Sequence, residues 1–167
     1  ADQISDAFLD AHLKSDALSR VACETLVKNQ VAVLAGEVTS KASVDYDSLV
    51  RGVVKQIGYC GPEAGFDFRS FELITLISKQ SPDISMGVTE GQGKFKEQGA
   101  GDQGLMFGFA CDETPEFMPL PIALAHQLMI ELSNQRKAGK VKFLLPDAKC
   151  QVSVRYSDYK PVEVDTV

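Results

Sequence analysis

The chain has 167 residues, 44% hydrophobic and 24% charged, enough for about one domain with a core that needs no disulfide or metal staple. A formal net charge of -6 argues against a nucleic-acid surface, which shows as a basic patch. No apolar run reaches the roughly 18 residues that a membrane span needs. Ala1-Asp2-Gln3 carries no basic stretch leading into an apolar one, so no signal peptide is expected. A helical pattern that starts at once, without an initiator Met, suggests sequence upstream. Cys23, Cys60, Cys111 and Cys150 are widely spaced, form no C-x-x-C pair, and find only His12 and His126 as companions, so no zinc spacing exists. They are expected to be reduced thiols of a cytosolic protein, most of them buried.

Ile4, Ala7, Phe8 and Ala11 recur at helical spacing and predict an apolar stripe on a first helix. Residues 20–28 alternate through Val21, Cys23, Thr25 and Val27, and 31–38 form a second strand-like run. With Asn29-Gln30 as the turn, 20–39 reads as a hairpin. Leu49, Val50, Val53, Val54 and Ile57 predict a second helix, started at Asp45 or Asp47 and stopped at Gly58. Phe71 to Ile77 is β-rich, which makes the order α-β-β-α-β. Residues 80–104 hold six glycines among polar residues and predict a long functional loop. Leu105 to Cys111 reads as a strand. Pro119 and Pro121 open a long helix with Ile122, Ala125, Met129 and Leu132 on one face and Gly139 beyond its end. Gln151 to Tyr156 alternates as a strand, and a further alternating stretch runs to Val167. The two histidines lie on helices and are expected to be structural.

Two phosphate motifs can be tried on the glycine segment. Gly99-Ala100-Gly101-Asp102-Gln103-Gly104 fits G-x-G-x-x-G, but a dinucleotide fold needs a strand before it and a helix after it, and the flanks read the other way. Gly91-Gln92-Gly93-Lys94 resembles the end of a P-loop, yet its first glycine would fall on Val88 and its magnesium-binding hydroxyl on Phe95. An ordinary connecting loop is the bland reading.

The run Gly99-Ala100-Gly101-Asp102-Gln103-Gly104-Leu105-Met106-Phe107-Gly108 resembles the signature of S-adenosylmethionine synthetases. So, in order, do Arg20-Val21-Ala22-Cys23-Glu24-Thr25, Gly36-Glu37, Lys79-Gln80-Ser81-Pro82-Asp83-Ile84 and Pro146-Asp147-Ala148-Lys149, while Ala1 to Asp6 resembles the helix after the family's GHPDK motif. The resemblance covers essentially the whole chain. It implies an α+β architecture of β-α-β-β-α-β domains, incomplete here, with most of the N-terminal domain over residues 1–100, a mobile loop at about 80–96, and part of the central domain over 101–167.

The resemblance also implies an activity. Methionine sulfur attacks C5′ of ATP and expels the triphosphate, which is then cut to phosphate and pyrophosphate with Mg²⁺ and K⁺ assisting. A thioether nucleophile needs no general base, which suits a sequence without a Ser/His/Asp arrangement; what the site needs is alignment and cations for an anionic leaving group. Carried over, Glu37 resembles the carboxylate holding the methionine ammonium, Gln80 the contact to its carboxylate, and Asp102 the carboxylate beside methionine and nucleoside. Asp147 and Lys149 resemble the nucleotide-contacting pair, with Lys149 toward phosphate as the catalytic cation. Glu24 resembles the potassium ligand, and no magnesium ligand falls within the chain. The family implies a homodimer with sites between subunits, paired further into a dimer of dimers, in the cytoplasm. Each residue has a plainer alternative: Glu24 could face water from an edge strand, Glu37 be a strand-end acid, Asp102 a binder of loop amides, Asp147 a turn residue and Lys149 a solvated one. A truncated, non-catalytic homologue acting as an interaction module is the alternative function, and the chain by itself is expected to be inactive.

Overall fold

Helix α1 spans Asp2–Ser15, and the stripe that the spacing predicts is the face it buries: Ile4 and Phe8 are inside, joined by His12 one turn on. The computed structural model describes residues 1–81, 88–91, 94, 96–97, 99–101 and 103–167. Most of the expected mobile loop, and Asp102, lie outside the described residues. The chain divides into two units, 1–104 and 105–167.

In the first unit β1 (Arg20–Lys28) and β2 (Val31–Thr39) form the expected hairpin, turning at Asn29, whose φ of 52° is one that asparagine tolerates. Helix α2 (Tyr46–Ile57) starts where an Asp45 carboxylate oxygen accepts the Ser48 amide at 3.1 Å and stops at left-handed Gly58. A two-residue hairpin, β3 (Cys60–Gly61) and β4 (Phe66–Asp67), leads into β5 (Glu72–Ser78). Strand β5 lies parallel to β2, so the sheet order is β1-β2-β5 with β1 at an edge.

Both helices cover one face of this sheet. Phe8, Ala32, Leu34 and Val50 have no exposed surface, and Ile4, Val54, Phe66 and Phe71 complete the core. Burying a Val, Leu or Phe side chain contributes about 1.5–3 kcal/mol. Phe66 stacks on Phe71 at 4.9 Å, and the Arg51 guanidinium caps that ring at 4.5 Å while donating to the Phe68 and Phe71 carbonyls. Neither α1 nor α2 covers the other sheet face. Leu26 and Leu76 on it are 59% and 62% exposed.

The second unit holds helix α3 (Leu120–Lys137) and the hairpin β6 (Ser153–Ser157) with β7 (Lys160–Thr166), turned at Asp158-Tyr159. The Glu113 carboxylate accepts the Leu120 amide at the helix start and the Tyr156 hydroxyl at 2.6 Å, which ties the helix to the hairpin.

Three expectations need correction. Leu105 to Cys111 is not a strand: no ladder partner lies beside it among the described residues, and its Leu105, Met106, Phe107 and Phe109 side chains are 80–93% exposed. Ile122 is exposed, although Ala125 of the same expected face is buried and Met129 and Leu132 are half-buried; Ala123 is buried as well, since apolar residues surround this helix and periodicity does not choose a single face. None of the four free cysteines is buried; Cys60 is exposed and the others are half-buried. Among the described residues no helix is long and apolar enough to cross a membrane.

Candidate functional site

Strand alternation sends Arg20, Ala22, Glu24 and Leu26 of β1 to the face opposite α1 and α2. In β2 the same face receives Val33, Ala35 and Glu37, and in β5 it receives Ile74, Leu76 and Ser78. The register places Glu37, on the central strand, between Ala22 and Ser78. Both neighbours are small, so no strand neighbour fills the space over the Glu37 carboxylate. A cleft of about 700 Å³ opens there, lined by Arg20, Val21, Ala22, Glu37, Ser78, Lys79, Gln80, Ser81, Val88, Gly99 and Gly101. It sits beyond the carboxyl ends of the parallel strands β2 and β5, the usual place for a ligand in such a sheet.

Gly36 shapes this end of β2. Its φ is 146°, a region that side-chain-bearing residues rarely adopt, and a Cβ there would overlap the Ala22 carbonyl oxygen. The glycine thus lets the two strands close up immediately before Glu37. The start of β1 is fixed by Asp16, whose carboxylate accepts the Leu18 amide at 3.2 Å and the Lys41 amide at 2.9 Å. The Lys41 amide is the chief reason that Asp16 titrates below the usual carboxylate range. Ser19 and Ser40 join side chains at 2.7 Å across the same gap, so the residue before Arg20 is pinned to the residue after Thr39.

Two polar atoms in the cleft wall are buried without a hydrogen-bond partner among the described residues, Nε of Arg20 and Oε1 of Gln80. Leaving such an atom unpaired costs about 1–3 kcal/mol. A ligand in the cleft could satisfy both. The orphaned pair beside an exposed carboxylate suits a small zwitterion better than an apolar guest.

The predicted site residues do not all meet here. Glu37 and Gln80 line one cleft. Glu24 lies on the same sheet face, exposed on the edge strand and outside the cleft wall. Among the described residues no three His, Cys, Asp or Glu side chains group as a metal site. Glu24 therefore offers one carboxylate, short of the several oxygens that a cation shell requires. Asp102 is outside the described residues. Asp147 and Lys149 are exposed on a segment of the second unit without regular structure. Sequence reasoning missed Arg20, which it met only as the start of a motif. Its strand phase, two residues before Ala22 and four before Glu24, was the available signal.

Comparison with known proteins bears on what the cleft belongs to. Residues 1–82 match the model of the S-adenosylmethionine synthetase N-terminal domain and residues 97–167 that of the central domain. The chain belongs to the S-adenosylmethionine synthetase family. It is 56% identical over its full length to the S-adenosylmethionine synthase of Desulfosudis oleivorans, covering 43% of that protein. It is 57% identical over 166 residues (99% of the chain) to that of Sorangium cellulosum, covering 39%, and 53% identical over its full length to that of Syntrophobacter fumaroxidans, covering 43%. The chain thus spans about two fifths of the length of the relatives it matches. The strand ends that wall the cleft all fall in the segment matched to the N-terminal domain, and its Gly99 and Gly101 in the segment matched to the central domain.

Proposed function

We propose that this chain is the N-terminal and central portion of a methionine adenosyltransferase, which joins L-methionine to the adenosyl group of ATP and releases phosphate and pyrophosphate. The observation that carries this reading is the Glu37 cleft: a carboxylate with small neighbours, two orphaned polar atoms beside it, in a chain of this family. Glu37 takes the methionine ammonium and Gln80 presents its amide to the same amino acid. The sulfur lone pair then attacks C5′ of ATP as the C5′–O bond breaks, and the electron pair leaves with the triphosphate. Holding the two reactants in line supplies much of the acceleration.

Lys149 is assigned to the phosphates, where a positioned cation stabilises the developing charge, and Asp147 to the nucleotide. Asp102 is assigned between methionine and nucleoside. Glu24 is assigned to potassium as one ligand among several from elsewhere in the assembly. Mg²⁺, for which the resemblance implies no ligand in this chain, would neutralise the triphosphate. We further propose a cytoplasmic homodimer with sites shared between subunits and paired as a dimer of dimers. The chain alone is expected not to turn over, because it supplies only part of the required cation set. The non-catalytic alternative draws no support from the relatives, all three of which carry the synthase name.

The test is to incubate the full-length protein with ATP, L-methionine, Mg²⁺ and K⁺ and separate the products by chromatography. S-adenosylmethionine should form in step with phosphate and pyrophosphate. ATP hydrolysis without adenosyl transfer would contradict the proposal.

A further inference from the structure

We propose that Arg20 holds the carboxylate of the amino-acid substrate in the Glu37 cleft, an assignment that rests on the functional reading above and extends it to a residue with no role there. Arg20 opens β1 on the face opposite α1 and α2, in register with Thr39 and therefore diagonal to Glu37 across the β1–β2 ladder. Diagonal neighbours on one face have Cα atoms about 7–8 Å apart, a spacing that long side chains can bridge. Among the described residues no ion pair joins Arg20 to Glu37, in contrast to Asp47–Arg51, Asp67–Arg69 and Arg155–Glu163. Among the described residues the cleft therefore presents an unpaired cation and an unpaired anion side by side. An α-amino acid carries the complementary pair of charges on one carbon.

The polarity of the orphaned atoms decides which group goes where. A guanidinium only donates, so the buried Nε of Arg20 calls for an acceptor. Glu37 only accepts, so the ammonium belongs to it. Gln80 is ambivalent: its orphaned Oε1 calls for a donor such as the ammonium, but a turned amide would present Nε2 to the carboxylate instead. Gln80 therefore does not choose the orientation, and Arg20 does. Lys79 is the other cation in the wall, but it is exposed, whereas the Arg20 Nε is buried, on a strand start whose backbone is fixed by the Asp16, Ser19 and Ser40 contacts. A carboxylate can take two parallel N–H bonds from an arginine fork, which fixes direction as well as charge.

The experiment is calorimetric titration of the full-length enzyme with L-methionine and with L-methioninol, in which a hydroxymethyl group replaces the carboxylate. Wild type should bind methionine more tightly than methioninol. Arg20→Gln should weaken methionine by roughly 10- to 100-fold, the range for a hydrogen bond to a charged group, and leave methioninol unchanged. Arg20→Lys keeps the charge without the fork, so it should lose less for methionine and nothing for methioninol. If Arg20→Gln does not fold, Arg20→Lys carries the comparison. Equal losses for the two ligands, an unchanged methionine affinity, or a wild type that does not prefer methionine would each overturn the assignment. The predicted pattern in an enzyme that transfers no adenosyl group would uphold Arg20 and sink only the functional reading.

Discussion

The two faces of the three-stranded sheet are built from alternate residues of the same strands, yet they do opposite things. Ala32 and Leu34 point under the helices and lose all their exposed surface, while Leu26 and Leu76 point away and keep 59% and 62% of theirs. The covered face has no room: Phe8, Val50 and Val54 fill it. The open face keeps a cleft because Ala22 and Ser78 flank Glu37 with little bulk. What the contrast teaches is a division of labour at a period of two: one set of side chains supplies the free energy of folding, and the other is left free to hold charge. Glu37 stands one position from Gly36, where no side chain fits on the covered side, and that single step separates packing from chemistry.

The contrast can be broken most forcefully from the covered face. Phe8→Ala should cost about 3–5 kcal/mol in denaturant unfolding, since it empties a site without exposed surface. A loss under about 1 kcal/mol, the size of an ordinary surface effect, would mean that the helices do not seal this face. Gly36→Ala comes next, at about 1–3 kcal/mol for a side chain forced into a left-handed conformation. An unchanged midpoint would show that the strands can shift to make room.

His12 sharpens the contrast through pH. It is 2% exposed, shares a 3.1 Å hydrogen bond through Nε2 with the Tyr46 hydroxyl, and has an unpartnered Nδ1 among the described residues. Burial lowers its pKa below the ordinary 6.5. The unfolded chain therefore takes the proton first as pH falls. Stability contributed by neutral His12 is complete above pH 6.5 and declines below it, by at most about 1.4 kcal/mol per pH unit for one proton. Melting curves between pH 7 and 5 should show this slope, and His12→Gln should flatten it. The same slope in the variant would assign the acid sensitivity elsewhere. The smallest effect belongs to the open face, where Leu76→Ala should change stability by no more than about 0.5 kcal/mol. A loss as large as that of Phe8→Ala would show that the exposed face is packed in solution.

The covered face was largely legible in the sequence because its signals are local. The Ile4–Phe8 stripe, the Asp45 cap and the Gly58 stop each act within one or two helical turns. The parallel pairing of β2 with β5 was not legible, since an alternating pattern says that a strand has two faces but not which strand it joins. The same ambiguity made Leu105 to Cys111 look like a strand: alternation promises an extended apolar segment and is silent about a neighbour. In the site, Glu37 and Gln80 were reached through motif resemblance, and the fold places both in one cleft. Arg20 was not reached: its strand phase gives the face it lies on, but an unsatisfied Nε is a property of three-dimensional burial.

The central claim is that substrate chemistry sits on the sheet face opposite α1 and α2. Methyl NMR of the full-length protein, labelled at alanine and valine and titrated with L-methionine, tests it most directly. The Ala22 and Ala35 methyls lie on the open face, Ala22 in the cleft wall, while Ala32, Val50 and Val54 are buried under the helices. The account predicts saturable shifts at Ala22, weaker ones at Ala35, and none at the three buried positions. Saturable shifts centred on Ala32, Val50 and Val54 with Ala22 unmoved would contradict it.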